Sequence, residues 1–128
     1  MKRKIFLRPR FSVYQLGQIT RIGKAVAAWV NDKGYVKPLP SVEDIAADIG
    51  VTTGQLNFYV RFRWRQPVLS WRKGLRIREA RRLLLVYPDL AVSVIGEMVG
   101  IEDKSNFKRQ FTEMVGVSPR AWRDGHLH

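Results

Sequence analysis

A seven-residue pattern occurs twice in this chain, 50 positions apart, and it narrows the choice of fold more than any other feature. Ile45-Ala46-Ala47-Asp48-Ile49-Gly50-Val51 is echoed by Ile95-Gly96-Glu97-Met98-Val99-Gly100-Ile101. In each copy a small residue follows the leading isoleucine, and a short amphipathic segment stops at a glycine. Lacking a Cβ, that glycine admits the left-handed backbone on which helices commonly end. A polar turn and a second helix-like run come next. This order of events is the profile of a helix-turn-helix, present here in duplicate.

Composition bounds what such a chain can do. Its 128 residues suit one domain or two small subdomains, and an apolar share of 45% is enough for a real core. The absence of cysteine removes disulfides, thiolate zinc sites and thiol nucleophiles, and the only histidines, His126 and His128, make no metal cluster. No metal or other cofactor is therefore expected. No apolar stretch approaches the ~20 residues that span a bilayer. The N-terminus is basic without an apolar signal segment, which points to a cytoplasmic rather than a secreted protein. Lys and Arg number 23 against 11 acids, a net charge of +12. That surplus calls for a polyanionic partner, whether DNA, RNA or an anionic membrane surface, and paired helix-turn-helix motifs favour double-stranded DNA.

Residues 1–14 read as a basic arm, with Lys2, Arg3, Lys4, Arg8 and Arg10 set among Phe6, Leu7 and Phe11. Residues 15–66 form the first helix-turn-helix subdomain. Its opening helix, residues 15–31, places Leu16, Ile19, Ile22, Val26, Trp29 and Val30 on one face, and Gly34 is expected as its left-handed cap. Pro38-Leu39-Pro40 is a stiff connector. Ser41 with Asp44, and then Thr52 with Gln55, have the spacing of capping boxes that start the two helices of the first motif. Leu56 points inward from the second of these.

Residues 67–88 make a long connecting helix, with Pro67 in its first turn and Leu69, Leu75, Ala80, Leu83 and Leu84 as its apolar positions. Residues 89–124 hold the second motif, with helices over 91–99 and 103–115 and a last one opened by Ser118-Pro119; residues 125–128 are a tail. No segment alternates with period two for long. The fold expected is all-α, about seven helices in two helix-turn-helix subdomains joined by a long central helix.

The order of these motifs resembles the DNA-binding domain of the AraC/XylS family of bacterial transcription regulators, over residues 41–123. Ile45-Ala46, Gly50-Val51 and Leu56 carry the first part, and Leu75-Arg76-Ile77-Arg78-Glu79-Ala80-Arg81-Arg82-Leu83-Leu84 is close to the family's L-R-x-x-x-A-x-x-L-L. The second part is the most specific: Ile95, Gly100, Ser105, Phe107, Arg109, Phe111, Gly116-Val117-Ser118-Pro119 and Trp122-Arg123 follow the family signature in order. Gly96 stands for the usual alanine, Ile101 for phenylalanine, and Arg65 for the usual glycine before the long helix. The resemblance implies two recognition helices presented to successive major grooves about 34 Å apart, so that a monomer reads what otherwise takes a dimer.

Base contacts are expected from Thr53, Gln55, Asn57 and Phe58 in the first recognition helix and from Lys104, Asn106, Lys108 and Arg109 in the second. Asn and Gln pair with adenine, Arg with guanine, and an aromatic edge meets a thymine methyl. Phe58 is equally readable as a core residue. Thr52, Arg61, Arg63, Arg65 and Ser105 are expected on phosphates, which position without reading sequence, and Asp103 as a helix cap. Trp64, Trp71 and Trp122 read as structural, and Arg76 as paired with an acid such as Glu79 or Glu97. Gly54 falls where relatives often carry a base-reading side chain, so the second motif is expected to discriminate more.

No paired carboxylates, Ser/His/Asp set or phosphate loop is present, so no enzyme is expected. The rival function is a non-specific nucleic-acid-binding or nucleoid-associated protein driven by charge. The chain reads either as a small stand-alone regulator or as a fragment whose sensing domain lies elsewhere. RNA polymerase is a candidate partner in both cases.

Overall fold

The computed structural model describes residues 11–127. The basic residues expected in the arm at positions 2–10, together with His128, lie outside the described residues. Within them there are seven α-helices and no strand: α1 (Val13–Asn31), α2 (Val42–Ile49), α3 (Thr53–Trp64), α4 (Val68–Val86), α5 (Val92–Met98), α6 (Lys104–Val115) and α7 (Pro119–His126), with one 3-10 turn at Gly34–Val36. None is long and apolar enough to cross a membrane.

Side-chain caps open most of the helices. Thr52 Oγ1 accepts the Gln55 N–H at 3.1 Å while Gln55 Oε1 accepts the Thr52 N–H at 2.9 Å, so two otherwise orphaned donors are satisfied reciprocally. Ser41, Asp103 and Ser118 cap α2, α6 and α7 in the simpler one-way form. A further box, Ser12 with Gln15, starts α1 at Val13, so the helix takes up the last two positions read as arm. At the other end α7 runs to His126, two residues into the expected tail.

The core is divided, and α4 serves both halves. Ile22, Val26 and Trp29 of α1, Ile45 and Ala46 of α2, and Leu56 and Val60 of α3 close on Val68, Trp71 and Leu75 of α4. Further along the same helix, Ile77, Ala80, Leu83 and Leu84 pack with Ile95, Val99, Ile101, Phe107 and Phe111. Leu69, expected on the apolar side, is 42% exposed; Val68 and Trp71 take that role because the helical phase of the core runs through them.

Two further expectations for single residues, those for Gly34 and Arg76, are corrected. Gly34 is not a left-handed cap. Lys33 holds the positive φ of 56°, whereas Gly34 is needed because a Cβ there would collide with the Trp29 indole. Trp29 stacks on Trp71 and donates its indole N–H to Asp48 at 2.8 Å. Hydrogen bonds from Lys37 and then Trp29 hold the Asp48 carboxyl below its usual range.

Among the described residues Arg76 has no acid partner. Its guanidinium donates to three main-chain carbonyls, those of Tyr35 (2.5 Å), Lys37 (2.8 Å) and Gly100 (3.2 Å). Glu79 instead binds Lys33 and Arg82, at 2.9 Å and 2.7 Å. Burial, with Arg72 nearby, lowers Arg76 to about 10, which still leaves it charged at neutral pH.

Candidate nucleic-acid interface

The two copies of the repeated pattern fold alike. Ile45 and Ile95 are fully buried, and Gly50 and Gly100 take φ of 96° and 91°. After each glycine the next residue's N–H returns to the small residue's carbonyl: Val51 to Ala46 at 3.0 Å, Ile101 to Gly96 at 2.8 Å. Gly96 has no room for a side chain, since a Cβ would lie 2.8 Å from the Phe107 ring. These tight turns set α3 and α6 across α2 and α5. Each recognition helix is 12 residues long and is pinned by inward residues at matching positions, Leu56 and Val60 in α3, Phe107 and Phe111 in α6.

On α3 the outward residues are Asn57, Phe58, Arg61, Phe62, Arg63, Trp64 and the capping Arg65. Thr53 and Gln55 are half-buried, and the Gln55 carbonyl is occupied by the cap, which leaves its NH₂ group as the free donor. Thr52 is exposed with its hydroxyl oxygen engaged by the same cap. Phe58 is 46% exposed, which decides against the core alternative. It stacks on Phe62, with centroids 5.7 Å apart, and Phe11 meets both rings edge-on. Beside them a cleft of about 320 Å³ runs between α1 and α3, lined by Ile19, Ile22, Gly54 and Phe58 among others.

On α6 Lys104, Ser105, Lys108 and Arg109 are exposed and Asn106 is half-buried. Asn106 Oδ1 accepts from Arg109 and, at 3.1 Å, from Gln110, so Asn106 holds the arginine rather than standing free. Glu113 lies 3.6 Å from the other side of the same guanidinium. That exposed pair is weak and easily exchanged for another acceptor. Asp103 caps the helix as expected, at 2.7 Å from the Asn106 N–H.

Two features escaped the sequence reading. Arg120, on the first turn of α7, shares a cleft of about 380 Å³ with Ser93, Lys104, Lys108 and Ser118. A basic residue just inside the Ser118-Pro119 helix start was the available signal. Phe62 is the other, and its spacing of four from Phe58 on one helix face marked it as a partner. Trp71 is buried as expected, and Trp122 packs edge-on against Phe111. Trp64 is partly exposed, lies against Trp71 at 5.4 Å, and has Arg63 above its ring.

An all-α chain with two capped helix-turn-helix units on a shared helix, each showing a basic or polar recognition face, defines a class of paired helix-turn-helix proteins. Residues 45–125 match the family model of a helix-turn-helix domain, and the chain belongs to this AraC-type family. It is similar to the arabinose operon regulatory protein of Salmonella typhimurium, 31% identical over 84 residues that cover 66% of this chain and 30% of that protein. The chain thus spans less than a third of the length of the curated relatives it matches. Among solved structures, the C-terminal domain of AraT, a response regulator from Geobacillus stearothermophilus, aligns at a TM-score of 0.71 and 21% identity over 94% of this chain and 91% of that one. The DNA-binding domain of AdpA, a global transcriptional factor solved with a target DNA, aligns at 0.69 and 22% identity over 82% and 91%.

Proposed function

We propose that this chain is a transcription regulator that binds double-stranded DNA sequence-specifically, laying α3 and α6 in successive major grooves as a monomer. The observation that carries the reading is the pairing of two capped recognition helices, each with an outward polar or basic face, on one central helix in a chain of net charge +12. The DNA held by the AdpA domain supports the same use of a shared fold. Base contacts come from Thr53, Gln55, Asn57, Phe58, Lys104, Asn106, Lys108 and Arg109. Thr52, Arg61, Arg63, Arg65 and Ser105 take phosphates, and Arg120 joins them through its cleft with Lys104 and Lys108. The reading assigns no catalysis and no cofactor, and a cytoplasmic, DNA-associated location. RNA polymerase, and a sensing domain in a longer chain, are its further partners.

Selection from random duplexes followed by competition with unrelated DNA at fixed salt tests this. A preference of about 10³ or more for the selected site is expected. Equal affinity for all duplexes would establish the charge-driven, non-specific binder instead. Affinity that does not fall as salt rises would exclude nucleic acid as the partner, because phosphate neutralisation releases counterions.

A further inference from the structure

Among the described residues, the helices of one recognition unit do not pack extensively on those of the other. The helix pairs in extensive contact either belong to one unit or involve α4. Their relative setting is therefore carried by α4 and by whatever braces it. The brace sits where the two cores meet: Leu75 belongs to the first and Ile77 to the second, and Arg76 lies between them. Its guanidinium reaches Tyr35 O and Lys37 O on the connector from α1 to α2, at the 3-10 turn that opens it, and Gly100 O on the turn of the second unit.

Val36, between the two connector acceptors, packs against both cores. Gly100 is held to glycine from two directions. Its φ is 91°, and a Cβ would come within 2.6 Å of Val36 O and 3.0 Å of Arg76 Cζ. The three bonds leave from three different nitrogens of one rigid plane, Nε, Nη1 and Nη2, a spread that the single nitrogen of a lysine does not reproduce. Main-chain acceptors cannot rotate away as a carboxylate side chain can, so a bond from each unit to one rigid group fixes the angle between the units.

We propose that Arg76 is a positioning residue that locks the two helix-turn-helix units at one relative setting, so that the chain discriminates DNA sites by the spacing of their two half-sites. The proposal rests on the DNA-binding reading above. Adding base pairs between the half-sites separates them by about 3.4 Å and turns them by about 34° each. A locked pair cannot follow such a shift, whereas a loosened pair can.

The test uses the whole chain and the variants Arg76→Met, which keeps the stem without donors, and Arg76→Lys, which keeps the charge. Affinity is measured for the selected site, for the same site with its spacer lengthened stepwise to half a helical turn, and for single half-sites. The native chain is expected to lose about 100-fold on a modest spacer change, the loss shrinking to about fivefold in Arg76→Met while half-site affinities stay within about twofold. Residual dipolar couplings of the DNA-free chain give a second readout: one alignment for both units in the native chain, two in the variant. Arg76→Met with the native spacing profile, or with a single shared alignment, overturns the lock. Where Arg76→Met does not fold, Arg76→Lys decides by the same criteria. A native chain with no sequence preference would defeat the DNA reading, and the alignment measurement would still decide the lock.

Discussion

The two recognition helices have equal length and matching anchors but different chemistry on the outside. Aligned by their inward residues, Phe58 of α3 corresponds to Arg109 of α6, Phe62 to Glu113, and Arg65 to Gly116. One helix thus presents a stacked aromatic pair where the other presents an exposed ion pair spaced by four. The inward side differs in the opposite sense. Small Ala46 and Leu56 occupy the places of Gly96 and Phe107, so the larger ring of the second unit is accommodated by deleting a Cβ. The lesson is that the scaffold keeps a sum of sizes across the helix crossing, which leaves the outer faces free to diverge.

The strongest way to break this comparison is through the core. Phe107→Ala is expected to cost about 3–5 kcal/mol, by lost burial and the cavity left behind. Gly96→Ala costs about 1–3 kcal/mol from overpacking against that ring. Combining Gly96→Ala with Phe107→Leu recreates the pair found in the first unit. The double variant should be more stable than the sum of the single ones by about 1 kcal/mol, read by urea unfolding. Simple additivity would show that the two positions do not compensate.

That size rule also marks what could be read from the chain before its structure. Helix starts were local matters, and Ser41, Thr52, Asp103 and Ser118 declared them by side-chain oxygens at fixed spacing from the N–H groups they satisfy. Gly50 and Gly100, the glycines of the repeated pattern, likewise announced left-handed turns at the ends of their helices. Gly34 misled because the demand for glycine there comes from Trp29, a tertiary neighbour, and not from the helix end. Arg76 misled for a deeper reason. Its acceptors are main-chain carbonyls, which leave no trace in residue identity, so an acid was the partner that sequence made visible. Phe58 was undecidable because a helical phase alone does not say how much of an aromatic ring its neighbours cover.

On the outer faces the expected effects are smaller and fall in order. Arg109→Ala should remove discrimination at one or two base pairs of the second half-site, worth ~1–3 kcal/mol, as seen by repeating the duplex selection with the variant. An unchanged consensus would place Arg109 on the phosphate backbone. Phe58 makes a softer prediction. Replacing thymine by uracil in the first half-site removes a methyl and should weaken binding by about 0.8 kcal/mol, close to fourfold. Phe58→Ala should then bind the two duplexes equally. If the native chain already does so, the ring serves packing against Phe62 and Phe11, and reading in the first unit passes to Thr53, Gln55 and Asn57.

The smallest effect concerns Arg65, and it separates folding from binding. Arg65 ends α3 in the left-handed conformation, φ 57° and ψ 37°, where Gly116 ends α6 with φ 96°. A side chain in that region costs roughly 1–2 kcal/mol, while glycine loses about 0.5–1 kcal/mol of backbone entropy on folding. Arg65→Gly should therefore raise stability by about 0.5 kcal/mol, detectable as a small rise in Tm. If Arg65 touches phosphate, the same variant should bind all duplexes more weakly and flatten the salt dependence by about one unit of slope. Gaining stability and losing affinity together would mean that the strain is kept for the charge. A gain with unchanged DNA affinity would remove Arg65 from the interface and leave Arg61 and Arg63 to carry the phosphate contacts of the first unit.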